Sequence, residues 1–512
     1  MQMKKIINFR LTLTFVIAMM VATIFATYVF VSKNAKLTTF FILLGIFAVI
    51  FITFCVFKKK MLLFLSSLFL IAAIPFLSLY FTSVKLNNNL NFENKTVTLA
   101  GTVSGNYKFT TSGNLELLID DAVIDNSHNL NGKVAIYTNP ENLDLSKLKS
   151  GACLTIKTKL SFFTIDREIS KSLSFLNRNI VASGYAMFYN INLTGENNES
   201  LKDIVCNRVY ENLKDSNVKY ADIGYALLFG DSNVLDADLK TSFRATGIAH
   251  LLAVSGLNVS IIILIFNFLL KKLKVSYKFN LALSLIFLSF YCYLCDFSVS
   301  VVRASLMALF ALYATIRGKA YDNLSVLSLV AILIMIVSPI EMFNISFVLS
   351  FSAVLSIMLL AKPISRSLSN VFYSKLADTL SINFAVQIGL LVTNLFYFGK
   401  YPVLGVFANL VAVPIATTSF VVLVIGVMLS SILPCMSFVN HVFGLLMDVV
   451  VRFNSWIANI GFDLRAGSVP WLSILVMFIF MFVVSDYVFV KKKPKAIVAS
   501  SLALTCALLF LI

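Results

Sequence analysis

The sequence predicts a polytopic α-helical membrane protein with about thirteen transmembrane helices and one inserted extracytoplasmic β domain. Three observations carry this reading. Of the 512 residues, 59% are hydrophobic and 13% charged. Apolar runs near the ~20 residues that cross a bilayer core of ~30 Å recur along the chain. One long stretch after the third run has short alternating segments bounded by Gly and Asn turns instead.

The net charge of +17 is not spread evenly. Residues 85–244 hold 17 basic and 18 acidic side chains, so the excess lies in the apolar parts. There it gathers in short loops: Lys58–Lys60, Lys271 to Lys278, Arg317 and Lys319, Lys362 to Lys375, and Lys491–Lys495. These fall on one side of a consistent threading, as the positive-inside rule requires. The charge therefore sets topology and is no evidence for nucleic acid.

Residues 1–84 form the N-terminal transmembrane part, with runs at Phe9–Val31, Leu37–Phe57 and Met61–Val84. The first is too long for a signal peptide and no small-residue cleavage site follows, so it reads as a spanning helix. With Lys58–Lys60 inside, Lys85 emerges outside. Residues 85–200 carry strand-like runs at Thr96–Val103, Leu115–Ile124, Lys133–Tyr137, Cys153–Leu160 and Ile180–Phe188. Five short strands fit a small barrel of the OB type, a fold that often binds single strands or sugars. The candidates for nucleic-acid contact in it are Tyr107, Lys108, Phe109, Lys157 and Lys159, because rings stack on bases and ammonium groups meet phosphates. The same residues also fit barrel-core aromatics and a solvated face, which the balanced charge favours. Cys153 and Cys206 offer one disulfide pairing in this soluble stretch.

Residues 201–246 read as an amphipathic helical linker, with helices at Leu201–Leu213, Tyr220–Phe229 and Leu235–Phe243, the last with Asp236 placed to cap it. Residues 247–512 then hold spans at Gly247–Leu270, Phe279–Cys295, Val299–Ile316, Leu324–Val337, Phe343–Leu360, Ala377–Phe398, Val403–Leu433, Val439–Ile460, Trp471–Val490 and Ala496–Ile512.

Polar residues stand out against that background, because a polar group in hydrocarbon must face a protein interior or a wet cavity. His250, Ser255, Gly256 and Asn258 lie in the first span, and on one helix His250 and Asn258 share a face. Helix packing around a satisfied His and a functional polar site both fit. Arg303 lies four residues into its span, between Asp296 and Asp322; a carboxylate or carbonyls hold it, or it lines a pathway. Pro402, Gly405 and Pro414 interrupt an over-long helix, either as a kink or as a broken helix beside a polar path. Cys292 and Cys295 read as a helix end, since no further Cys or His stands nearby. The three His residues, His128, His250 and His441, are too scattered for an HxHxDH metal site.

His250, Leu251, Leu252, Ala253, Ser255, Gly256 and Leu257 match the His-Leu-Leu-Ala-Ile-Ser-Gly-Leu-His signature of the ComEC/Rec2 family of competence membrane proteins, which the stretch resembles. Asn258 stands at the second His, so an imidazole is lost but a hydrogen-bonding group remains. Phe243, Arg244, Gly247, Arg303-Ala304, Asp322-Asn323, Leu349-Ser350-Phe351, Gln387, Asn394 and Asn409-Leu410-Val411-Ala412-Val413-Pro414 follow in the family's order. Ser346, Phe347 and Val348 replace its Gly-Phe-Gln.

The resemblance implies a multi-pass protein of the cytoplasmic membrane that passes single-stranded DNA inward during natural transformation, with an OB-like domain outside to receive the strand. The pathway residues it implies are His250, Ser255, Gly256, Asn258, Arg303, Ser350, Gln387, Asn394, Asn409 and Pro414. Besides single-stranded DNA and the lipid bilayer, it implies a DNA receptor, a separate nuclease and a cytoplasmic DNA motor as partners. No cofactor or metal is expected. Many family members continue into a metallo-β-lactamase-like domain; this sequence ends at Ile512 in a hydrophobic run, so the expectation is the channel part and no enzyme. Two other classes share the polar helices: a transporter of a small solute or lipid-linked sugar, and an intramembrane enzyme with His250 as base and Arg303 binding an anion.

Overall fold

A computed structural model describes residues 11–29, 32–105, 107–110, 113–125, 127–140, 148, 150–164, 169–197, 199–216, 218–461, 463–465, 467, 469–488 and 492–508. Contacts divide the chain into two units, Thr14–Arg208 with Leu329–Asn344, and Val209–Ser328 with Ile345–Ile512 and Met1–Leu13.

The first unit begins in α1 (Leu11–Ile24), which widens into a π-helical turn at Phe25–Val29. The Thr23 and Thr27 hydroxyls donate to carbonyls four residues back, at 2.8 Å each, so neither is left bare. α2 (Lys33–Phe57) and α3 (Lys60–Asn87) follow as a helical hairpin whose link turns at Lys58 in the left-handed region. Phe41, Val49 and Val56 of α2 are exposed, as a helix facing lipid requires. Lys36 is buried near the start of α2 with its ammonium 3.1 Å from the Ser83 hydroxyl.

The strands then run β1 (Thr96–Val103), β2 (Lys108–Phe109), β3 (Leu115–Ile124), β4 (His128–Asn129), β5 (Lys133–Thr138), β6 (Ala152–Phe162), β7 (Ile180–Tyr185) and β8 (Ile191–Asn197), with α4 (Ile169–Leu176) between β6 and β7. β1 pairs antiparallel with both β3 and β6, β3 with β5, β5 parallel with β7, and β7 antiparallel with β6, so the pairings return to the first strand. Alternate residues of β1, β3 and β6 point inward, and Leu99, Leu117, Ile119, Ile136, Ile156 and Leu160 fill the core. The strand expected at Ile180–Phe188 stops at Tyr185, and β8 was not expected. Cys153 and Cys206 are both free thiols, so the possible disulfide is not formed.

α5 (Leu201–Asp215) leads into the second unit, followed by α6 (Ala221–Phe229), α7 (Ala237–Ala245), α8 (Gly256–Lys272), α9 (Tyr277–Leu294), α10 (Val299–Ile316), α11 (Asn323–Val337), α12 (Ile345–Leu368), α13 (Ser374–Phe398), β9 (Lys400–Pro402), α14 (Gly405–Ile432), α15 (Phe438–Ile460), β10 (Asp463–Arg465), α16 (Leu472–Val484) and α17 (Lys492–Leu508). Phe243, Phe420, Phe443, Met447, Leu423 and Val259 lie at the centre of its largest apolar cluster.

Among the described residues, nine helices are long and apolar enough to cross a membrane, and α11 and α16 are shorter apolar helices. The chain is thus a mostly helical, multi-pass membrane protein. The expected count was higher because sequence runs were longer than the helices they form. α8 has 17 residues, about 25 Å of rise, because its first turn starts at Gly256 and not at Gly247. The run Trp471–Val490 yields only the 13 residues of α16. The interruption expected at Pro402, Gly405 and Pro414 is also displaced. Pro402 ends β9, which pairs with β10, while α14 runs unbroken through Pro414. Asp236 takes the N-cap position of α7, but its side chain makes no capping hydrogen bond.

Candidate functional site

The signature segment is two structures joined by a bend. After α7, Gly247 adopts a φ of +77°, and a Cβ there would lie 2.5 Å from Pro402 Cγ and 3.6 Å from Gly405 Cα. Only glycine allows both this backbone turn and the approach of the chain before α14. Ala249–Leu252 form a 3-10 turn, Ala253 is extended, and Ser255 begins α8 as its N-cap. His250 therefore sits on the turn, exposed at its surface, and does not share a helical face with Asn258 as expected. The reason is local chemistry. The Ser255 hydroxyl accepts from the Asn258 amide N–H at 3.2 Å and donates to Asn258 Oδ1 at 3.1 Å, a reciprocal cap that starts the helix here.

Asn258 is 7% exposed and its Nδ2 donates to the Leu227 carbonyl at 3.3 Å. The next carbonyl, Leu228, accepts from the Tyr291 hydroxyl at 2.8 Å and the Cys295 thiol at 3.7 Å. The last turn of α6 is thus closed by donors from α8 and α9, satisfying carbonyls that a helix end leaves open. Cys292 is likewise committed, its thiol lying 3.5 Å from the Ser305 hydroxyl.

Arg303 of α10 faces the start of α8. A Cβ on Gly256 would lie 2.7 Å from Arg303 Nη2, so the missing side chain is what admits the guanidinium. Arg303 is 6% exposed, its Nε has no partner, and no carboxylate pairs with it among the described residues. Neither Asp296 nor Asp322 holds it; the Asp322 carboxylate accepts from the Ser325 amide and hydroxyl. What lies beside the guanidinium is the Phe351 ring, 5.8 Å from its carbon and itself stacked on Phe347. Ser350 precedes Phe351 on α12, half-buried.

A second group assembles at the start of α14. The Tyr401 hydroxyl donates to Gln387 Oε1 at 2.5 Å, and burial pushes it up to about 12, so it stays a donor at every ordinary pH. With its oxygen occupied, Gln387 presents its amide nitrogen toward Gly405, where a Cβ would lie 3.7 Å away. Asn409 stands one turn further along α14, with a buried Oδ1 that has no partner. Beneath, the Thr246 hydroxyl donates to Asn454 Oδ1, whose amide donates to Ser242 at 2.8 Å. Asn394 lies two turns beyond Gln387 on α13, half-buried, and Pro414 is exposed on α14.

In the sheet, cross-strand pairs set Lys108 opposite Glu116, Glu116 opposite Tyr137, Tyr137 opposite Tyr185 and Tyr185 opposite Lys159. Lys108, Lys157 and Lys159 are exposed, whereas Tyr107 packs against the core. The Phe109 side chain lies outside the described residues. Between the lysines sits a buried Glu116, 3.0 Å from Arg178. Tyr185, which faces Lys159 across the strands, and Met187 and Tyr189 after it are exposed large side chains, none of them a sequence candidate. Tyr185 ends β7, whose inner residues Ile180, Val181 and Ala182 are buried, while Met187 and Tyr189 follow the strand and had no signal of their own.

The signature thus meets α10, whose Arg303 lies against Phe351 of α12, on one side and the start of α14 on the other. A cavity of about 240 Å³ lies elsewhere, walled by Leu228, Ile262, Phe266, Phe287, Tyr291 and Val424, among other apolar side chains, and by none of the pathway candidates.

Fold and site define a multi-pass helical membrane protein whose polar residues collect around two helix starts, those of α8 and α14. The chain belongs to the ComEC/Rec2 competence family: the family model described as Competence protein matches residues 227–494. It is similar to ComE operon protein 3 of Bacillus subtilis, 27% identical over 38% of this chain and 24% of that one, and to Recombination protein 2 of Haemophilus influenzae, 30% identical over 39% and 27%. An uncharacterized protein of Aquifex aeolicus is 32% identical over 32% of this chain and 38% of its own length. The matches span about a quarter of the first two relatives. No solved structure matches.

Proposed function

We propose that this chain takes part in DNA uptake for competence by conducting single-stranded DNA across the cytoplasmic membrane, and that it cuts no DNA itself. One observation carries the reading. Motif blocks far apart in sequence, around Gly247–Asn258, Arg303, Phe351 and Gln387–Asn409, assemble in one unit with partner-free polar atoms on Arg303 and Asn409. Such atoms are costly in an apolar setting and mark where a polar substrate passes. On this reading residues 247–512 form the conducting domain and residues 85–200 an extracytoplasmic OB-like barrel. The return of the strand pairings to β1 supports the barrel, and Lys159 with Tyr185 supports contact with a single strand. A receptor, a nuclease and a motor are then separate proteins.

The test is internalisation of labelled DNA in a transformable strain, with and without this chain. Deletion is expected to abolish entry into the cytoplasm while leaving surface binding. Entry at the normal rate after deletion would remove the reading. In that event the apolar cavity moves a carrier of a lipid-linked substrate to first place.

A further inference from the structure

We infer that the N-terminus of α8 and Arg303 together form a phosphate-binding site, and that its ligand is a phosphodiester of the passing DNA strand. This rests on the conduction reading and names the group the path recognises. α8 is 17 residues long, and its first turn is incompletely satisfied. The Asn258 amide is taken by the Ser255 hydroxyl and the Val259 amide by the Ser255 carbonyl. The amides of Gly256 and Leu257 have no acceptor among the described residues, and Leu257 is 46% exposed, so the turn is open on one side. Free amides at a helix start, with the dipole behind them, make an anion site.

The independent observation is Arg303. It approaches the same turn from α10, is 94% covered, and has a partner-free Nε and no carboxylate among the described residues. A buried cation without a counter-charge is expensive, and a planar fork of donors beside free amides matches a tetrahedral oxyanion. Gly256 is the residue that lets both approach one ligand, since a Cβ would occupy the place next to Nη2. A phosphodiester meeting this site needs no base contact, as a sequence-independent path requires.

The test uses the full chain in phosphatidylcholine nanodiscs and a fluorescent oligothymidylate, with binding followed by anisotropy over a salt series. Arg303→Met is expected to bind about tenfold more weakly. Its log K against log salt should be shallower by about 0.7, the slope of one single-strand phosphate. Gly256→Ala, which keeps the charge but pushes the guanidinium away, should weaken binding in the same direction. Melting temperatures of both variants show whether they fold. If Arg303→Met folds and its isotherms overlay those of the wild type, the site is wrong. If instead it lowers only the phosphatidylglycerol that copurifies with the protein, the site takes a lipid headgroup and the proposal also fails. Unchanged binding by Arg303→Met, with uptake still lost on deletion, sinks this site and leaves conduction standing. An Arg303-dependent slope with uptake unaffected by deletion keeps the site and removes conduction.

Discussion

Glu116 in the first unit and Arg303 in the second are both buried charges, and the two are treated differently. In the sheet, Glu116 is 5% exposed and meets the Arg178 guanidinium at 3.0 Å, with the Tyr137 hydroxyl at 3.5 Å. In the helical unit, Arg303 is as deeply covered and, among the described residues, has no carboxylate beside it, only the Phe351 ring and the start of α8. The first arrangement is electrically complete, so its role is to hold β3 and β5 to the segment after α4. The second has no counter-charge among the described residues, and a fold that keeps such a group forgoes stability for something outside itself.

The largest effect expected from breaking this contrast is on Arg303. Arg303→Met should lower DNA internalisation about tenfold while the protein melts no lower than wild type, because it removes an uncompensated buried charge. Uptake assays beside melting curves in detergent test both halves of that statement. Arg178→Ala should do the reverse, costing about 2 kcal/mol of sheet stability, a figure reduced because the guanidinium is partly exposed. Protease resistance of the sheet reads it, and Glu116→Gln on the same background should recover most of the loss. Asn258→Asp keeps the cap of α8 but cannot donate to Leu227, so it should cost about 1 kcal/mol, seen as faster amide exchange at the end of α6. The smallest effect concerns Glu341, between α11 and α12, whose carboxyl burial pushes up despite a 2.8 Å hydrogen bond from Asn344. A raised folded-state value favours the protonated form, so stability contributed at low pH is lost as pH rises through the unfolded value towards the folded one. Glu341→Gln should flatten that slope and melt slightly higher than wild type at pH 7.

These contrasts were only partly legible in the sequence. Thr96–Val103 and Leu115–Ile124 emerge as strands to the residue, because alternating burial leaves a period of two in the side chains. β8 escaped because Asn192, Thr194 and Glu196 dilute its apolar positions. Gly247–Leu270 misleads for the opposite reason, an apolar run with no obvious breaker. The signal was the Ser255-x-x-Asn258 spacing, a capping pattern with Asn in place of the usual acid. That Arg303 has no carboxylate could not be read from Asp296 and Asp322, since proximity along the chain does not fix which way those side chains turn.

The closed end of α6 has a mechanical consequence. Asn258, Tyr291 and Cys295 tie two successive carbonyls to two other helices, so prising any one of the three away means breaking donors on a single turn together. α6, α8 and α9 are thereby tied to one another at a single turn. The short links at 230–236 and 248–255, on either side of α7, lie outside these three ties, and the second of them carries His250.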